Sequence, residues 1–165
     1  MRRIARASTL RIRPATAADA APISALIMRV SHTFTLQPDG AGAEEFFATV
    51  TPEAIGGYLA SPEYAYLVAE EDGALAGFAA VRGNTHLYHL FVDPAFQGRG
   101  LSRRLWDEAM GAALRAGNPG EFTVNSSMFA VPVYQRFGFV PAGPRTEMQG
   151  LAFMPMKLVL ATDGH

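Results

Sequence analysis

Apolar positions along this chain first recur at helical spacing, then alternate as in strands, then return to helical spacing. Residues 10–13 read as a short strand, ended by Pro14. Thr16 and Asp19 have the form of a capping box, and helix-spaced apolar positions follow to about residue 30. Residues 34–42, with Pro38-Asp39-Gly40, read as a loop. Short helices are expected over 44–50 and 51–59, the second opened by Thr51-Pro52-Glu53. Proline suits that first helical position because its missing N–H would be unpaired there anyway. The period then becomes two. Strands are expected at 64–70, 74–81 and 86–92, joined by the turns Glu71-Asp72-Gly73 and Arg82-Gly83-Asn84. Turns this short imply an antiparallel meander. A helix over 98–116 carries Leu105 and Trp106 on its apolar side and breaks at Gly117-Asn118-Pro119-Gly120. A strand at 121–125, a helix at 129–137, a strand starting at Phe139-Val140 and a last strand over 152–160, interrupted by Pro155, complete the order.

That order places a strand–helix–strand crossover inside an otherwise antiparallel meander. It predicts an α/β fold of the mixed, α+β type with helices on both faces. Its centre is a mixed, mostly antiparallel twisted sheet of about seven strands, flanked by about four helices. The 165 residues suit one domain, expected over 9–160, with a flexible segment over 1–8 and a tail over 161–165.

Composition narrows the function. Apolar residues make up 49% of the chain and charged residues 18%, enough core to exclude a disordered chain. Basic and acidic residues number 14 and 15, so no charge excess points to nucleic acid. There is no cysteine, which excludes disulfides, thiolate–metal sites and a covalent thiol nucleophile. The four histidines have no ligand-like spacing, so no metal is expected. No apolar run reaches the roughly 18 residues of a membrane span, and no apolar stretch follows the arginines of the first eight residues. A cytoplasmic protein, monomer or homodimer, is expected.

The richest stretch follows the third meander strand. Asp93-Pro94 ends the strand, Gly98 and Gly100 let backbone approach a ligand closely, and a helix begins. A helix N-terminus offers free N–H groups and a positive dipole end, which suits a phosphate or pyrophosphate. Arg99, Arg103 and Arg104 add positive charge nearby. Such a turn either holds an anion or only packs tightly. No Gly-Lys-Ser/Thr follows it, and only two of a dinucleotide fingerprint's glycines are present, so neither of those phosphate loops fits.

The stretch Gln97-Gly98-Arg99-Gly100-Leu101-Ser102 resembles motif A of the GNAT acyltransferase superfamily, Gln/Arg-x-x-Gly-x-Gly/Ala, with serine in the last place. A second stretch, Ala130 to Phe139 with Tyr134 and Gly138, is similar to motif B, Asn-x-x-Ala-x-x-x-Tyr-x-x-x-Gly-Phe. Ser127 holds the asparagine place of that pattern, and Asn125 lies two residues earlier. The resemblance implies an N-acetyltransferase that passes the acetyl group of acetyl-coenzyme A directly to a primary amine in a ternary complex. A non-catalytic coenzyme A-binding module and a transferase of bulkier acyl groups are the alternatives. It also implies a binding mode. The amides of Gln97, Gly98, Arg99, Gly100, Leu101 and Ser102, with Arg103, would hold the pyrophosphate. The strand edge at Leu90 and Val92 would pair with the pantetheine amides, with Phe91 between them also on the cofactor. Asn125, Ala130 and Tyr134 would line the gap for the thioester.

For catalysis, the resemblance makes Tyr134 the general acid to the leaving thiolate, and the Val92 N–H the oxyanion donor. A phenol is a reasonable proton donor to a thiolate. Some family members carry a glutamate base eleven residues before the motif-A Gln/Arg, and His86 stands there. It is either a base or a half-buried structural histidine. His86 and His89 are an odd number of residues apart, so a regular strand turns them to opposite faces unless a bulge intervenes. His89, His32 and Phe34 are candidates for the acceptor site. Phe34, Phe46, Phe47, Tyr58 and Tyr88 read chiefly as core. The acceptor, a small-molecule or peptide amine, has no motif of its own.

Overall fold

A computed structural model describes residues 9–161. The expected segment at 1–8 and all but the first residue of the expected tail lie outside those residues. The strands are β1 (Leu10–Pro14), β2 (Tyr64–Glu71), β3 (Ala74–Arg82), β4 (His86–Val92), β5 (Glu121–Ser127), β6 (Val140–Pro141), β7 (Thr146–Met148) and β8 (Leu151–Val159). The helices are α1 (Ala20–Val30), α2 (Glu44–Ala48), α3 (Pro52–Ala60), α4 (Leu101–Arg115) and α5 (Val131–Arg136). The sheet runs β1-β2-β3-β4-β5-β8-β6, with β7 also on β8. Every pairing is antiparallel except β4 with β5. The crossover through α4 makes that pair parallel, as the element order required. Among the described residues, no helix is long and apolar enough to cross a membrane.

Two cores lie on opposite faces of the sheet. On one, Leu105, Trp106 and Ala109 of α4 pack with Leu87, Phe122, Val124 and Phe139. Trp106 meets the Phe122 ring edge-on at 5.0 Å. On the other, Ile23, Leu26 and Ile27 of α1 and Ile55 of α3 cover Tyr66, Val68 and Phe78. Phe34, Phe46, Phe47, Tyr58 and Tyr88 pack against this second core. The Asp19 carboxylate accepts from the Thr16 amide at 2.7 Å, the capping contact expected. Arg13 also grips it, at 2.8 and 3.0 Å, and holds the carboxyl below the usual carboxylate range.

Two details differ from the sequence reading. The last strand is continuous through Pro155. In a strand a residue's N–H and C=O point the same way, and the Pro155 carbonyl accepts from the Ala142 amide on the β6–β7 side. The missing N–H therefore falls where β6 has ended and β7 has not begun, and no ladder bond is lost. The eighth strand, β7, is three residues long. It is held in a hairpin with β8 by Gln149 and Gly150, whose φ values are 54° and 76°.

Candidate functional site

The site is a wedge between β4 and β5. The two strands pair only at His86 with Thr123 and Leu87 with Val124. Beyond that, the β4 edge stands free. The Asp93 amide donates to the Ala76 carbonyl on β3. By the alternation of an antiparallel ladder, Phe91 and His89 also turn their main chain to β3. Leu90 and Val92 therefore turn theirs into the wedge. The Val92 carbonyl accepts from Gln97 Nε2 at 3.3 Å, and its N–H, on the edge that β5 does not pair, meets no strand partner. Across the gap, the Thr123 amide donates to Thr85, so the main chain of Asn125, two residues on, also faces the wedge.

At the open end the chain turns into α4. Asp93 anchors the turn: one carboxylate oxygen accepts from the Ala95 amide at 2.9 Å, the other from Arg29 at 2.7 Å. Those bonds, Ala95 first, hold its carboxyl below the usual range. Gly98 and Gly100 adopt φ of 81° and 72°, the left-handed region that side chains disfavour. This conformation points the amides outward. From Gly98 to Arg103 the amides have no protein acceptor among the described residues. A run of free N–H groups at the start of a four-turn helix is built for an anion.

A cleft of about 1050 Å³ joins this turn to the wedge. Of the residues singled out from sequence, it brings together Leu90, Phe91, Val92, Gln97, Gly98, Gly100, Leu101, Ser102, Arg103, Ala130, Tyr134 and His32. Arg99 does not line it: its guanidinium turns away to Glu71 at 3.2 Å. Arg104 faces that same far side. The cleft's second arginine is Arg136 instead, whose carbonyl accepts from Arg103 Nη1 at 3.4 Å. Phe129, at the β5–α5 turn, lines the cleft while 72% exposed. Sequence reasoning did not single out Arg136 or Phe129 for the site. Arg136 carried a signal, as a basic residue inside the motif-B stretch.

Tyr134 lies on α5 with its ring packed on Phe137 and Phe139. It is buried, yet its hydroxyl bonds no protein group. No fully buried polar side-chain atom lacks a partner among the described residues, so that hydroxyl opens to the cleft. Burial pushes its pKa up, which keeps the phenol protonated.

The histidines lie elsewhere than a regular strand would put them. Ala80 pairs with His89 but Val81 with Leu87, so Tyr88 is an extra residue in β4. This bulge turns His86, Tyr88 and His89 to the face covered by α1 and α3, and leaves Leu87 on the other. His86 Nδ1 and Thr123 Oγ1 lie 2.8 Å apart. Burial, then Arg82, lowers its pKa. His89 is buried among Tyr66, Tyr88, Phe78 and Phe91, and burial pushes it down to about 3. Phe34 packs on Phe46 and Phe91, at 5.2 and 5.8 Å, and does not line the cleft. Asn125, His86 and His89 do not line it either, and Asn125 is exposed.

A family model described as an acetyltransferase (GNAT) domain matches residues 34–160. The chain is 35% identical over 101 residues to the N-alpha-acetyltransferase RimI of Mycobacterium tuberculosis (strain ATCC 25618 / H37Rv). That match covers 57% of this chain and 63% of the relative, less than two thirds of its length. Among solved structures, a GCN5-related N-acetyltransferase from Rhodopseudomonas palustris shares the fold with a TM-score of 0.75 and 24% identity, over 93% of this chain and 97% of the other. The PaiA N-acetyltransferase of Thermoplasma acidophilum, in complex with coenzyme A, does so with a TM-score of 0.74 and 16% identity, over 92% and 99%.

Proposed function

The chain belongs to the GNAT acetyltransferase family, and from that premise we propose that it transfers the acetyl group of acetyl-coenzyme A to a primary amine by direct attack in a ternary complex. The observation that carries this is the run of unpaired amides from Gly98 to Arg103, continuous with the free β4 edge at Leu90 and Val92. The amides take the pyrophosphate, Arg103 and Arg136 face its charge, and the β4 edge takes the pantetheine amides by strand-like bonds. We assign residues 9–160 to this single catalytic domain.

The neutral amine attacks the thioester carbonyl. The C–N bond forms, and the Val92 N–H stabilises the oxyanion. As the C–S bond breaks, the Tyr134 hydroxyl gives its proton to the thiolate. The proton lost by the amine goes to His86, which its surroundings keep neutral and whose orientation Thr123 fixes. The products are an amide and coenzyme A thiol. With no cysteine in the chain, no thiol acyl-enzyme intervenes. Titration calorimetry with acetyl-coenzyme A tests the binding half: an absence of binding ends the proposal. Thiol release on adding an amine panel tests the transfer half.

A further inference from the structure

One cation beside the proposed base is unemployed by the fold. Arg82 is exposed and, among the described residues, makes no ion pair and no side-chain hydrogen bond. Its guanidinium carbon lies 5.0 Å from the centre of the Tyr88 ring. Tyr88 is the bulged residue, at the level where β4 and β5 part. Arg82 is also the cross-strand partner of His86, so the two side chains rise side by side from the face opposite α4. Its charge is felt at both His86 and His89. A positive charge thus stands beside the proposed base, next to the level where β4 and β5 part.

Arg82 and His86 stand outside the cleft lining, and the lining does not oppose this charge. Among the described residues no Asp or Glu lines the cleft, while Arg103 and Arg136 do. A polycationic amine would meet this charge with nothing to hold it.

Resting on the transferase reading above, we propose that the acceptor is a free α-amino acid, its carboxylate held by Arg82 and its α-amine presented to His86. A guanidinium binds a carboxylate through two parallel N–H bonds, and stacking on Tyr88 restricts the head before the ligand arrives. The adjacent α-amine then falls beside the neighbouring imidazole.

The test compares free L-amino acids with the matching amino acid amides as acceptors, by thiol release from acetyl-coenzyme A. An amide-flanked α-amine is the less basic, so intrinsic reactivity at neutral pH favours the amides. We expect the native protein to prefer the free acids, with a KM lower by about tenfold. In Arg82→Gln that preference should fall to about one, and Arg82→Lys should restore part of it. Equal or better turnover of amides by the native protein overturns the proposal, and this arm needs no variant to fold. So does an Arg82→Gln protein that keeps the preference. A pH profile shifted equally for both acceptor sets would also overturn it, because Arg82 would then act only through His86. Binding of acetyl-coenzyme A with no turnover of either set overturns the amino acid assignment alone. No binding of acetyl-coenzyme A overturns the transferase reading itself.

Discussion

Gly100→Val separates the anion cradle from the stability of the turn. Gly100 has φ of 72°, and beyond the residue itself and its chain neighbours no protein atom among the described residues lies within 4 Å of where a Cβ would sit. The substitution therefore makes no clash inside the protein. It has two separate costs. A side chain in the left-handed region costs about 1–2 kcal/mol of stability. At this chain length about 1 kcal/mol lowers Tm by roughly 2–4 °C, so a drop of up to about 8 °C is expected. The new methyls fill the space from which a phosphate reaches the amides. Losing one charge-assisted amide–phosphate bond, about 1.5–3 kcal/mol, weakens acetyl-coenzyme A binding roughly tenfold to a hundredfold. Gly83→Val is the control. Its φ is 59° with equally open surroundings, but it lies in the β3–β4 turn, at the other end of β4. It should melt lower by a similar amount and bind acetyl-coenzyme A with native affinity. Calorimetry on both, with thermal melts alongside, decides the matter. A Gly100→Val chain that melts lower yet binds as tightly as the native protein would refute the cradle.

Three further outcomes follow from the same geometry. Tyr134→Phe removes the proton donor but keeps the buried ring, so kcat should fall about a hundredfold while acetyl-coenzyme A affinity holds; unchanged thiol release would refute the acid role. His86 is held below the usual histidine value by burial and then Arg82, so kcat/KM, taken on the concentration of neutral amine, should rise with pH through a value below 6.5 and then level off. His86→Gln should abolish that step, and a step that persists in the variant belongs to another group. His89 bears on stability: unfolding lets it take up a proton that the fold denies it down to about pH 3. Stability from this residue is whole above pH 6.5 and lost as pH falls toward 3, on the order of a few kcal/mol, and His89→Phe should flatten that slope in denaturant melts.

Much of the fold was legible because it rests on long periodic segments. The meander and the crossover through α4 announced themselves by alternation and by turn residues. β7 did not, because three residues show no period and their strand character comes only from pairing with β8. Pro155 read as a break because a sequence cannot say which side of a strand its neighbours leave open. Within the site, the glycine turn was readable from the residues themselves, and Tyr134 was singled out by the resemblance of its stretch to motif B. The sidedness of Arg99, Arg103 and Arg104 was not, since consecutive residues at a helix start diverge in direction and only the folded turn sends Arg99 to Glu71. The bulge at Tyr88 was equally hidden. An extra aromatic in an aromatic strand alters no pattern, yet it decides which face His86 and His89 share.

That one extra residue also divides the labour of β4. After it, Leu90 and Val92 lie in the register that β3 imposes, with their main chain committed to the open edge. Before it, Arg82, His86 and Thr123 form a cross-strand row whose side chains project to the opposite face and touch nothing in the phosphate turn. On the proposed reading, replacing side chains in that row would alter what meets the amine and leave the β4 edge proposed for the coenzyme unmoved. The bulge is thus a seam: under the proposed function, side chains on one side of it can change without disturbing the main-chain edge on the other.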